Sequence, residues 1–233
     1  MRLVAVILTF MATVISIVSQ KGGTGKSSTA INLACALHAS KKRIMVIDTD
    51  PQATFTLWHR KRRKANLPMF DVQFVPKGLL EEEVEQLRTN SELDIILMDC
   101  PGNIEDITAT AVKLSDAVVS PIRPSSIDME HAVGTARFIE EMRKAFPDIL
   151  FLLFINQAMT GWNLSRHIAE VVREVLQKLP KTTVLETQIP MAVAIAEFFG
   201  TGMSIYEYAP KSKAASQYKK LTKEIIECLQ AQS

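Results

Sequence analysis

Three of the chain's nine glycines fall within four residues, at Gly22, Gly23 and Gly25, inside the segment QKGGTGKSS at 20–28. A glycine-poor chain that gathers them at one spot needs left-handed backbone or very close approach there. The flanks narrow the choice. Thr13–Ser19 is short, apolar and rich in Val and Ile, and predicts a buried strand. After the loop, Ala30, Leu33, Ala34 and Leu37 recur at i, i+3, i+4 and i+7, the spacing of one helix face. A strand feeding a glycine loop that opens a helix aims backbone N–H groups and the positive helix end at one point, which suits a phosphate. Gly22, Gly23, Thr24, Gly25 and Ser28 then form the cradle. Lys26 would reach the β- and γ-phosphates, and the Ser27 hydroxyl would ligate Mg²⁺. The strict pattern GxxxxGK(S/T) fails at its first position, Gln20; the variant KGGxGK(S/T), with Lys21 just ahead of the glycines, fits.

The remainder alternates between the two periodicities. β-type apolar runs occur at 43–48, 70–75, 93–99, 117–121, 149–155 and 183–189, separated by helical patterns over 54–64, 79–87, 104–114, 127–145, 164–178 and 191–199. Such alternation predicts an α/β fold: a doubly wound, mostly parallel sheet of about seven strands with helices on both faces. No repeat, low-complexity tract or linker divides the chain, so 11–233 reads as a single domain and 1–10 as an N-terminal extension, with Met11 an alternative start. The apolar run 1–18 stops short of the ~20 residues of a membrane span, and no small-residue cleavage site follows it. With 47% hydrophobic and 22% charged residues, a disordered chain is excluded. Three cysteines without a CxxC pair and four histidines without HxxxH spacing argue against a disulfide framework or a structural zinc, and fit a reducing, intracellular compartment.

Two further strand ends carry carboxylates. IMVIDTDPQ at 44–52 delivers Asp48 and Asp50, and LDIILMDCPG at 93–102 delivers Asp99. Open α/β sheets place their sites at such carboxyl ends. An Asp before Pro is also an ordinary turn former, and the sequence around Asp50 alone leaves both readings open. Cys100 reads as a packed thiol. Phosphoryl transfer asks mainly for positioning and charge neutralisation. Lys21, Lys26 and Mg²⁺ supply the charge, and no arginine near these segments stands as a finger, so turnover by the chain alone should be slow.

The segment KGGTGKS resembles the deviant Walker A box of the ParA/MinD ATPases. That resemblance implies a signature role for Lys21: reaching into the partner's site when two subunits sandwich two ATP molecules. DTDPQ is similar to the family's switch, where Asp50 would orient the attacking water and Asp48 would help hold the Mg²⁺ environment. Asp99 resembles the Walker B aspartate, which touches Mg²⁺ through water. Gly102 departs from the family's usual second Pro and could place a backbone N–H against the γ-phosphate. Asn156 resembles the adenine-reading asparagine, and Pro190 the loop lining the base. Met191 and Ala194 stand where many relatives carry basic residues.

Net charge is only +2, but charge is segregated. RKRRK at 60–64 has five positive charges, whereas 66–100 has eight acids and two bases. Near the C-terminus, Tyr218, Leu221, Ile225 and Leu229 share one helix face, and Lys213, Lys219, Lys220 and Lys223 the opposite one. Both basic clusters read equally as solvated helix surface or as contacts, for DNA phosphates in the C-terminal stripe and for DNA or a partner at 60–64. The short length is similar to that of small plasmid-type ParA proteins. The resemblance implies a cytoplasmic, nucleoid-associated ATPase that forms a homodimer on ATP, binds double-stranded DNA non-specifically, answers to a small centromere-binding ParB-like partner and needs no membrane. A MinD-like positioning ATPase and a conjugative or T-DNA-transfer accessory ATPase share the motifs; an amide-forming ligase of the dethiobiotin-synthetase kind would need a substrate pocket that no motif announces.

Overall fold

The computed structural model describes residues 11–102, 106–159, 163–176 and 178–232. The expected extension at 1–10 lies outside them. The described residues hold seven strands: β1 (Thr13–Ile17), β2 (Ile44–Asp48), β3 (Asp71–Phe74), β4 (Ile95–Asp99), β5 (Ala117–Ile122), β6 (Leu150–Ile155) and β7 (Thr182–Val184). They pair entirely in parallel in the order β3-β2-β4-β1-β5-β6-β7. The helices are α1 (Lys26–Ala39), α2 (Thr54–Lys64), α3 (Leu80–Arg88), α4 (Asp106–Lys113), α5 (Ser126–Arg143), α6 (Asn163–Leu176), α7 (Val193–Glu197), α8 (Ile205–Tyr208) and α9 (Lys213–Gln230).

Helices cover both faces, which is why the central strands read as unbroken apolar runs. Successive side chains of β1 divide between two cores. Ile15 and Ile17 pack with Ala30, Leu33 and Leu37 of α1, Phe55 and Trp58 of α2, and Tyr218, Leu221 and Ile225 of α9. Val14 packs on the other side with Val84 of α3, Val112 of α4, Ile139 of α5 and Val172 of α6. The chain leaves β1 toward β2 on one side and later fills β5, β6 and β7 on the other. The crevice beside the carboxyl end of β1 is thus where the winding reverses.

Three expectations need correction. The last strand is only Thr182–Val184, not 183–189. Beyond it the chain leaves the ladder and crosses the sheet's upper edge, held by Ile189 N–H to Ile155 O at 2.9 Å and an isolated bridge between Ala158 and Pro190. The helix expected over 191–199 starts later, as α7, and ends in a 3-10 turn at Phe198–Gly200, because Met191 is still held in the crossing segment, its N–H donating to Ala158 O at 2.9 Å. The RKRRK segment is not one solvated cluster: Arg62 points into the protein and is 2% exposed. Its guanidinium forms a two-pronged pair with Glu207 at 2.8 Å for both bonds, and donates to Pro68 O and Gly202 O at 2.7 and 3.2 Å. A helical segment must bury one side, and here that side includes the middle arginine.

Candidate active site

The glycine loop leaves β1 and turns into α1 through Gly23 (φ 76°) and Gly25 (φ 93°), both left-handed. Gly25 is the residue capping α1, and a Cβ there would collide with the Asn156 side-chain amide. That amide donates to Thr24 O at 2.7 Å, and the Gln157 side chain donates to Gly23 O at 3.0 Å. The two residues after β6 thus brace the loop from the far side. Lys26, largely buried, donates to the Lys21 carbonyl at 3.1 Å. Burial pulls its pKa below the usual lysine value, opposed by the charges of Asp99 and Asp50. Gly102 closes the floor: a Cβ there would stand 3.1 Å from Gly22 Cα and 3.3 Å from Lys26 Nζ. A proline ring in its place would need the loop to shift.

Parallel register brings the carboxylates together. Ile17, Asp48 and Asp99 are aligned across β1, β2 and β4. Asp99 is completely buried, and neither carboxylate oxygen has a formed hydrogen bond. Burial pushes its pKa up to about 8, against the pull of the Ser27 hydroxyl and the Lys26 charge. A buried orphan carboxylate beside a hydroxyl at a helix N-terminus fits a hard divalent cation that draws its remaining ligands from phosphate and water. Asp48 is differently placed. It accepts from Thr56 N–H and Thr56 Oγ1 at 2.8 Å each and from Asp50 N–H at 3.2 Å, so it pins the start of α2 and the turn that carries Asp50. Burial raises its pKa and these hydrogen bonds oppose the rise. Asp50 lies on the rim and accepts from Gln52 N–H at 2.9 Å, beside Ala53 in left-handed backbone (φ 49°). Cys100 is fully buried, and burial pushes its thiol up to about 12, the behaviour of packing rather than of a nucleophile.

Lys21 extends away from its own loop. Its ammonium lies 3.3 Å from Asp128, which also pairs with Arg123 at 3.1 Å and accepts from the Ser125 hydroxyl. Burial works to raise the Asp128 pKa, but these three hydrogen bonds outweigh it and hold the group below the usual carboxylate range. The sequence reading did not single out Asp128, Thr56 or Gln157. Ser125-x-x-Asp128 is a capping signature that could have drawn notice, since the Ser125 side chain caps α5; nothing in the sequence ties it to Lys21. Pro190 pairs with Ala158, two residues beyond Asn156 in the chain. Lys213, Lys219, Lys220 and Lys223 lie exposed on α9, away from this site, with Lys223 3.4 Å from Glu227.

Residues 15–205 match the family model of the CobQ/CobB/MinD/ParA nucleotide binding domain. The chromosome-partitioning ATPase Soj of Thermus thermophilus is 28% identical over 91% of this chain and 94% of its own length. The chromosome partitioning protein ParA of Caulobacter vibrioides is 26% identical over 91% and 93%. Among solved structures, the septum site-determining protein MinD of Pyrococcus horikoshii, complexed with Mg-ADP, superimposes with a TM-score of 0.72 at 22% identity over 96% of this chain and 99% of that one. This chain therefore belongs to the CobQ/CobB/MinD/ParA nucleotide-binding domain family and, within it, to the ParA/MinD-type ATPases.

Proposed function

We propose that the chain is a ParA-type segregation ATPase: it hydrolyses ATP with Mg²⁺, dimerises on ATP, binds duplex DNA without sequence preference and is discharged by a ParB-like partner bound at a centromere. Lys26 and the N–H groups of Gly22–Ser28 hold the phosphates. Ser27 and Asp99 would hold Mg²⁺, with Asp48 keeping the neighbouring switch in place. When bound, Mg²⁺ neutralises charge on the phosphates. Asp50, on the rim, orients the attacking water. Asn156 and Pro190 flank the base, and Gly102 leaves room for its own N–H beside the γ-phosphate. Lys21 is spare for its own loop, so it can exchange Asp128 for a phosphate in the partner's site.

The observation that carries the segregation reading is the α9 stripe. Tyr218, Leu221 and Ile225 bury one face while the four lysines stand exposed on the other. If every lysine met a phosphate, a dimer would make about eight contacts, giving a salt slope near −7 in log K and a loss of about four decades between roughly 50 and 200 mM salt. Fluorescence anisotropy on random duplex DNA, with ATP and with ADP over a salt series, tests this. Lys219→Ala with Lys223→Ala should about halve the slope and leave ATP-dependent dimerisation intact. DNA binding that ignores ATP, or a double variant with the parent's slope, would refute the stripe. Flotation with anionic vesicles in place of DNA binding would mark a MinD-like role.

A further inference from the structure

Parallel pairing of β1 with β5 brings the turn after β5, RPSSID at 123–128, beside the residues that follow β1. That turn builds a carboxylate site from its own side chains. The Ser125 hydroxyl accepts from Asp128 N–H at 3.1 Å and donates to Asp128 Oδ2, and Arg123 Nε donates to Asp128 Oδ1 at 3.1 Å. Asp128, 2% exposed, is thus already paired when Lys21, 107 residues away in the chain, reaches Oδ2 at 3.3 Å. Both cations stand farther off than the ~2.7–2.9 Å of a tight charge-assisted hydrogen bond, as befits one carboxylate shared between two charges. Lys21 is 28% and Arg123 32% exposed, so either can turn toward water. Asp128 cannot.

We infer that Arg123 is a positioning residue for Lys21: it competes for Asp128, and it keeps that carboxylate paired when Lys21 leaves for the partner's site. The inference rests on the reading of Lys21 as the lysine that crosses between subunits. Without Arg123, the departure of Lys21 would strand a buried carboxylate with one hydroxyl, an uncompensated charge. With Arg123 in place, the departure gives up one shared bond. Substitutions at the two positions therefore act in opposite directions, although both break the same pair. Asp128→Asn removes the charge that holds Lys21 and frees it. Arg123→Ala leaves Lys21 to neutralise Asp128 and tightens the hold. A merely structural role for the pair would move both variants the same way.

Competitive acetylation of the nucleotide-free full chain reads the hold on Lys21 before any dimer forms, with Lys21 quantified by mass spectrometry against the exposed Lys219. Lys21 should label about tenfold faster in Asp128→Asn and about threefold slower in Arg123→Ala, the low end for a hydrogen bond to a charged group. Arg123→Lys, which restores a positive charge, should return labelling close to that of the parent. Sedimentation with ATP in the Asp50→Ala background reads the consequence. Each dimer releases two lysines, so the factors square: dimerisation about a hundredfold tighter with Asp128→Asn and about tenfold weaker with Arg123→Ala. Adding Lys21→Ala should abolish both shifts. Labelling that is unchanged in either variant, or that moves in the same direction in both, would overturn the inference. The expected labelling with no ATP-dependent dimer would uphold the competition for Asp128 and refute the sandwich instead. If Asp128→Asn fails to fold, the contrast between Arg123→Ala and Arg123→Lys still decides.

Discussion

Glu207→Ala should cost the domain about 4 kcal/mol, most of it through Arg62. The Arg62 side chain is 3% exposed, and its guanidinium lies over the Trp58 ring at 5.4 Å and keeps two backbone carbonyls and both Glu207 oxygens as partners. Removing Glu207 leaves the carbonyls but no counter-charge. Breaking a buried pair from one side costs ~3–5 kcal/mol, and because Glu207 itself is 30% exposed the low end applies, about 3 kcal/mol. The same carboxylate accepts from Ser204 N–H at 2.7 Å in the capping box of α8, whose loss adds ~1 kcal/mol. At 2–4 °C per kcal/mol for a chain of this size, the melting temperature falls by about 8–16 °C. Urea unfolding followed by circular dichroism reads the change as a lower midpoint with unchanged slope. Arg62→Met combined with Glu207→Leu should recover part of the loss, since an apolar pair leaves no uncompensated charge, while Ser204 N–H and the Pro68 and Gly202 carbonyls stay without their partners. The pH dependence has a definite sign. Burial works to raise the Glu207 pKa, but the hydrogen bonds from Arg62 and Ser204 outweigh it and the net shift is downward. Its stabilisation is therefore complete above about pH 4.3 and is lost as pH falls through the folded value. The gap between parent and Glu207→Gln should close over that acid window. A Glu207→Ala protein within 1 kcal/mol of the parent, or a double variant no more stable than the single one, would refute the reasoning.

Lys26→Ala removes the one buried ammonium of the phosphate loop, and ATP affinity should fall about 10- to 100-fold by calorimetry; unchanged affinity would remove the phosphate assignment. Asp50→Ala should let ATP accumulate a dimer in sedimentation, and adding Lys21→Ala should weaken that dimer about tenfold; a monomer at saturating ATP for Asp50→Ala would defeat the sandwich. Gly25→Ala forces a side chain into left-handed backbone and against Asn156, costing about 1–3 kcal/mol in urea unfolding and lowering nucleotide affinity; a variant of parental stability would show that the loop relaxes without strain.

The local chemistry of this chain was legible in one dimension because it depends on neighbours in sequence. A β-branched run, three glycines and an amphipathic period specify strand, loop and helix within about 25 residues, and the same logic placed Asp48, Asp50 and Asp99 at strand ends. The strand–helix alternation likewise dictated a parallel sheet covered on both faces, since parallel strands need crossovers. Helix spacing alone put Lys213, Lys219, Lys220 and Lys223 opposite the buried face of α9. Where those rules faded, the reason was distance along the chain. The last strand was overextended because Leu185 and Ile189 are buried by core contacts rather than by a ladder, and apolar character does not distinguish the two. Arg62 looked like its four basic neighbours until the fold brought Glu207, 145 residues away, beside it. Asp99 as an orphan carboxylate, Asn156 as a brace of the loop and Asp128 as the partner of Lys21 are likewise products of parallel register and topology, which set groups separated by about a hundred residues within hydrogen-bond reach. Local pattern decides which residues can carry charge at a strand end; only the assembled sheet decides which of those charges meet, and how dry their meeting place is.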